Sequence, residues 1–198
     1  MATPTAKELL AALRKKHATD AVVREVVIDD THEQAIRRRH DIEQARGNAY
    51  DSAGWWEDHY RDRGWDVATA IPDGWTPQAS IPQRRIDALI IASTGITAVE
   101  IKVTRSDFRR DTEEKRRAWR DVSNRFVYLT PKGLVDPDEV GAGCGLWEFD
   151  ATAAGPYSYQ HGITAIKRAA VNKKPRPLPF QVTRALAYRV SRNEKDTE

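Results

Sequence analysis

The stretch RRIDALIIASTGITAVEIKVT, Arg84 to Thr104, decides how this chain folds. Arg84 to Ala92 is an apolar run interrupted by one acid, Asp87. Ser93-Thr94-Gly95 reads as a turn, since small polar residues favour turns and glycine tolerates positive φ. Ile96 to Thr104 is a second run rich in β-branched residues. The two runs predict a β-hairpin with Asp87 opposite or diagonal to Glu100. Side chains two apart on a strand share a face, so Glu100 and Lys102 point one way and Val99, Ile101 and Val103 point into the core. An acid and a lysine in mid-strand are costly to bury without a role. One role that fits is metal-assisted phosphodiester hydrolysis. Asp87 and Glu100 would give hard oxygen ligands to Mg²⁺, with Mn²⁺ as substitute, and Lys102 a cation beside the attacking water. The plainer reading of the same spacing is a surface hairpin with a Glu/Lys pair.

Bulk properties set limits. The 198 residues suffice for one domain with a real core. Hydrophobic residues make up 40% and charged residues 31%, which places the chain among soluble globular proteins. No apolar stretch approaches the length of a membrane span, and the N-terminus lacks a signal-peptide segment. The one cysteine, Cys144, excludes an internal disulfide and a cysteine-clustered zinc site. A reducing cytoplasm is the expected location. The five histidines form no HExxH, there is no G-x-S-x-G, and Gly141 to Gly145 lacks the GK[ST] ending of a phosphate loop.

The formal charge of +3 only permits a nucleic-acid partner, but its distribution is more informative. No acid occurs from Ala151 to Asn193, where Lys173, Lys174 and Arg176 sit in a proline-rich, partly extended arm. A second basic group, mixed with acids, includes Arg105, Arg109 and Lys115. Both are candidate phosphate contacts through counter-ion release, and the plainer alternative for each is a solvated face. Tyr157, Tyr159 and His161 lie just ahead of the basic arm, and aromatics beside cations suit nucleic acid.

Further elements follow from pattern. Thr5 to Ala18, Thr31 to Gln44, Trp55 to Arg63, Arg109 to Val122 and Val182 to Arg192 read as helices. Ser106 is the expected cap before the fourth of these, and Asp29-Asp30-Thr31 before the second. Trp65 to Ile71, Asn124 to Thr130 and Leu146 to Phe149 read as strands, and Arg24 to Ile28 as a short strand or an extended entry. With the hairpin they predict a mixed sheet of four or five strands flanked by helices.

Asp87 followed by Glu100-Ile101-Lys102 resembles the D…ExK motif of the PD-(D/E)XK nuclease superfamily. EIKVTRSDFRRD, NRFVYLTPKGLVDPDEV and GAGCGLWEF are similar to small members seen in bacteria and phages, including the MmcB-like DNA-repair endonucleases. The resemblance spans about Trp55 to Pro179, and it departs from the motif at Ile86, where the family has proline. It implies an α/β, restriction-endonuclease-like fold at 47–180, behind an N-terminal helical extension at 1–46 and before a C-terminal helix and tail at 181–198. It implies a DNA endonuclease of repair, recombination or phage DNA metabolism. It adds the Ile101 carbonyl and Glu57 to the metal site, and offers Lys115 as a support for the metal-bound carboxylates. A homodimer would suit a double-strand cut. The competing readings are a catalytically silent nucleic-acid-binding module on the same fold and a partner-binding protein.

Overall fold

The computed structural model describes residues 3–47 and 52–195, with side chains described as far as 189. The chain forms two compact units, residues 29–84 and residues 1–28 with 85–198. In sequence, the smaller unit is an insertion between the first and second strands of the larger.

The larger unit is built on a mixed six-stranded sheet whose strands follow chain order. They are β1 (Ala21–Asp29), β2 (Gln83–Ala92), β3 (Gly95–Ile101), β4 (Arg125–Pro131), β5 (Gly145–Ala154) and β6 (His161–Lys167). The expected hairpin is β2–β3, antiparallel, with Ala88 opposite Val99 and Ala92 opposite Gly95. Continuing that register puts Asp87 opposite Glu100. β3 and β4 are parallel, as are β4 and β5, and β6 returns antiparallel to β5. The parallel β3–β4 step needs a crossover, which α4 (Arg105–Arg109) and α5 (Glu113–Val122) supply.

Helices cover both sheet faces. Leu9 and Leu13 of α1 (Ala6–Lys16) pack with Ala88, Ile90, Val99, Ile101 and Leu129. Ala118, Trp119 and Val122 of α5 pack on the other face with Leu89, Ala98, Phe126 and Leu146. Asp87, Glu100 and Lys102 have the parity of Leu89 and Ala98, so they belong to the face that α5 covers. That face is core, and it encloses Glu100 and Lys102, with Asp87 half-buried beside them. Cys144 is free and buried in this core, where burial raises its thiol pKa, with Arg120 and Arg116 opposing.

The smaller unit contains α2 (Thr31–Arg46), capped by Asp30 through the His32 and Glu33 amides, and α3 (Ala53–Asp62). Ile42, Ala45, Ala53 and Tyr60 form its core, with Trp56 and Val67 against it. Trp65 to Ile71, expected as a strand, has no regular structure. Its backbone bonds to helices instead: the Ala68 amide donates to the Ala35 carbonyl, and Arg38 donates to the Asp66 carbonyl. An apolar alternation makes a strand only where a ladder partner exists.

The helix expected over Arg109 to Val122 is interrupted at Arg110 to Thr112. Thr104, not Ser106, caps α4, and Thr112 caps α5 through the Lys115 amide. The sheet also has six strands where four or five were expected: Arg24 to Ile28 lies within β1, and β6 adds a strand at the other edge. α6 (Phe180–Lys195) closes the chain, with Val182 packed in the α5-side core.

The turn between β2 and β3 depends on Gly95. Its φ is +128°, and a Cβ there would lie 2.3 Å from Asn124 Oδ1. That oxygen accepts from the Ile96 amide at 2.8 Å, while Asn124 Nδ2 donates to the Asn172 carbonyl. Gly95→Ala therefore strains the backbone and displaces Asn124. Urea unfolding should show a loss of about 1–3 kcal/mol.

Candidate functional site

The end of β3 carries a buried, charged cluster. The Glu100 side chain is 3% exposed and that of Lys102 7%. Lys102 Nζ lies 3.0 Å from Glu100 Oε1, 3.5 Å from Asp111 Oδ1 and 3.7 Å from Asp107 Oδ1. Lys115, from the first turn of α5, donates to the same Glu100 Oε1 at 2.5 Å and lies 3.9 Å from Asp111. Glu100 Oε1 is thus shared by two ammonium groups, whereas Glu100 Oε2 is buried without a hydrogen-bond partner.

Asp87 faces this carboxylate across the hairpin. Its Oδ2 accepts from the Ile101 amide at 2.8 Å, which fixes the side chain at the sheet. Burial raises the Glu100 pKa, and the charge of Asp87 raises it further; Lys115 and Lys102 oppose both without cancelling them. For Lys102, burial pulls the pKa down, but Glu100, Asp111 and Asp107 outweigh it, and the net direction is up. The two directions agree physically. Lys102 answers to three carboxylates, while Glu100 must share its cavity with a second acid.

Asp111 was not singled out from sequence. The break between α4 and α5 turns its side chain inward, to 1% exposure. Tyr128 donates its hydroxyl to Asp111 Oδ2, and Arg116 Nη1 lies 3.6 Å from that oxygen. Burial and this bond to Asp111 push the Tyr128 hydroxyl pKa up strongly. A sequence signal existed in Asp111-Thr112, an acid and a capping residue within a helical run, which marks a helix restart.

The other expected site residues divide. Lys115 lies on Glu100 itself. Glu57 pairs with Arg46 at 2.5 Å within the smaller unit, and both side chains are about half exposed. Arg105 is committed to Glu139 through two contacts of 2.6 and 2.7 Å and to the Leu134 carbonyl, so it anchors a loop. Arg109 is exposed at the end of α4. The basic arm is held to the larger unit by its backbone: the Asn172 amide donates to the Asn124 carbonyl and the Arg176 amide to that of Asp121. Lys173, Lys174 and Arg176 are exposed along it.

Among the described residues, no group of three or more His, Cys, Asp and Glu side chains lies together in a way that could hold a metal ion. The Asp87–Glu100 pair is smaller than such a group. It still suits Mg²⁺, which is commonly held by one or two carboxylates and completes its shell with water and phosphate. An orphaned, buried carboxylate oxygen beside a second acid is the feature a cation would satisfy.

Comparison with known proteins adds little. No family model matches the sequence. No curated protein matches it either. A solved structure, the SPO1766 protein of unknown function from Silicibacter pomeroyi, is similar over 64% of this chain and 79% of that one. Its identity is 20% and its TM-score 0.42, and it carries no argument about fold or activity. No helix among the described residues is long and apolar enough to cross a membrane.

The geometry fixes a sign. A carboxyl with a raised folded pKa favours its protonated form, so its contribution to stability is present below the ordinary value of 4.5 and is lost as pH rises through the folded pKa. Asp87→Asn removes one of the two causes. In metal-free protein, carboxyl-carbon NMR should show Glu100 titrating above 4.5 in the wild type and lower in Asp87→Asn. An unmoved titration would mean that the field of Asp87 does not reach Glu100.

Proposed function

We propose that this protein is a divalent-metal-dependent nuclease of the restriction-endonuclease-like fold that hydrolyses phosphodiester bonds, with DNA as substrate. The observation that carries the reading is Glu100, buried with Oε2 unpartnered, opposed by Asp87 and bonded by Lys102. Burying an acid beside another acid costs free energy, which a bound cation would return. The antiparallel β2–β3 hairpin and the helical crossover to parallel β4 support the fold assignment.

In this reading Asp87 and Glu100 hold the ion, with the Ile101 carbonyl as a third oxygen; the Glu57 pairing with Arg46 gives that residue a structural alternative. Mg²⁺ or Mn²⁺, when bound, supplies Lewis-acid stabilisation and a water of lowered pKa. The chain's own residues supply position and charge. The Ile101 amide holds Asp87 in orientation. Lys115 and Lys102 both fix Glu100 through Oε1, leaving Oε2 for a ligand. Three carboxylates keep Lys102 an ammonium, so it donates a hydrogen bond and stabilises developing negative charge rather than taking a proton. Asp111, held by Tyr128 and Arg116, anchors Lys102 from the other side.

The double lysine contact at Glu100 Oε1 favours a second reading, a nucleic-acid-binding module in which the ion pairs alone satisfy the acid. Cleavage distinguishes the two. Purified protein is tested on duplex, single-stranded, nicked and forked DNA and on RNA, with Mg²⁺, Mn²⁺ or EDTA. Asp87→Asn, Glu100→Gln and Lys102→Ala should each lower the cutting rate by at least about 100-fold, as for loss of a group that stabilises transition-state charge, while binding in Ca²⁺ persists. Cutting that survives EDTA removes this mechanism. Tight binding without cutting in either metal selects the second reading.

Phosphate contact by the arm makes its own prediction. Replacing both Lys173 and Lys174 with alanine should flatten the log–log salt dependence of duplex binding by roughly 2. An unchanged slope would assign the arm to packing.

A further inference from the structure

The β5–β6 hairpin ends in two exposed tyrosines that the site above does not use. Tyr157 is 61% exposed and Tyr159 is 74% exposed. Their rings lie parallel, 1° apart in tilt, with centroids separated by 5.6 Å. Two large aromatic faces in water are unfavourable unless something covers them.

The loop that presents them is tied down. The Gly155 amide donates to the Gln160 carbonyl, and the Gln160 amide to that of Tyr157, both at 3.0 Å. Gly155 packs so closely on Gln160 that a Cβ would lie 2.2 Å from its Oε1. Lys15, from the last turn of α1, donates to the Gly155 carbonyl. The platform is therefore preorganised, and little ordering remains for a ligand to impose.

The surroundings are cationic. Lys15 and Lys16 end α1, and Lys16 Nζ lies 5.8 Å from the Trp147 ring on β5. At the base of the hairpin, burial and then Lys16, His17 and Lys15 depress the His161 pKa, so these groups converge there. The nearby acids are engaged: Asp20 pairs with His17 at 2.8 Å, Asp150 pairs with Lys132 at 2.7 Å and accepts from the Thr152 amide, and Glu148 accepts from the Gly133 amide. No acid follows until Glu194.

We propose that Tyr157 and Tyr159 form a stacking platform for the unpaired bases of single-stranded nucleic acid, with Lys15 and Lys16 beside the backbone. This rests on the nucleic-acid reading above and narrows its substrate to one with a single-stranded segment. Parallel, exposed rings among cations suit the π-faces and phosphates of a strand, whereas paired bases offer no free face. At 5.6 Å the rings stand too close to admit a base between them, which needs about twice the 3.4 Å stacking rise. Bases stack on the outer faces.

Fluorescence anisotropy in EDTA, where no metal-dependent cutting occurs, tests the platform. The probes are oligothymidylate, the same strand with abasic residues, and a duplex of equal length. Tyr157→Ala with Tyr159→Ala should weaken oligothymidylate binding on the order of tenfold or more and leave duplex binding within about twofold. Tyrosine-to-phenylalanine replacements should retain affinity, since stacking needs the ring and not the hydroxyl. Wild type should prefer the base-bearing strand to the abasic one. Equal binding of both strands, or no loss in the alanine variant, overturns the platform. The nuclease reading is scored separately, by cutting in Mg²⁺. A wild type that cuts duplex but ignores the tyrosine changes loses only the platform. One that needs the tyrosines for binding yet cuts nothing loses only the nuclease. Absence of all nucleic-acid binding overturns both.

Discussion

The buried carboxylate of Glu100, with two ammonium groups on one oxygen and none on the other, is the constraint on which the larger unit depends. An acid in a low-dielectric interior demands compensation, and the surrounding chain supplies it from two places. Lys102 from the same strand face and Lys115 from α5 compensate Glu100 directly, and Asp111, from the break between two helices, in turn holds both lysines. The network explains why a charged, polar-looking helix covers a core face. Trp119, Ala118 and Val122 fill the apolar part of that face, and Lys115 serves the charged part.

Buried ion pairs are weak sources of net stability, because desolvation offsets much of the Coulomb gain. Their presence here is better understood as placement. Glu100 is shielded from water and held by one oxygen, and Lys102 is kept positive. Asp87, opposite Glu100, is held in place by the Ile101 amide and adds a second negative charge beside the first. The same pattern makes the region sensitive to loss of any member, since each removal strands a partner in the interior.

Sheet topology supports this arrangement. The antiparallel hairpin fixes Asp87 and Glu100 on facing strands with a two-residue turn that admits no slippage, because Gly95 is locked against Asn124. The parallel step to β4 then forces the chain through a crossover, and that crossover delivers Lys115 and Asp111 to the end of β3. Beyond the site, the β5–β6 hairpin exposes two tyrosines and the proline-rich arm exposes lysines.

The amino-acid sequence alone determined the features that depend on local pattern. Period-two alternation and Ser93-Thr94-Gly95 specified the hairpin, and with it the shared face of Asp87, Glu100 and Lys102. Capping chemistry at Asp30 marked a local helix start. Tertiary structure decided everything that needed a partner distant in sequence. Trp65 to Ile71 lacked a ladder and stayed irregular. β6 showed only Ile163 buried along its length, so its alternation was too faint to read as a strand. Arg105 found Glu139, and Glu57 found Arg46, although neither pairing has a local signature. Asp111 became interior only because the chain had to turn between α4 and α5 to reach β4. Local preferences act over a few residues, whereas burial and charge pairing are settled by which surfaces the completed sheet brings together.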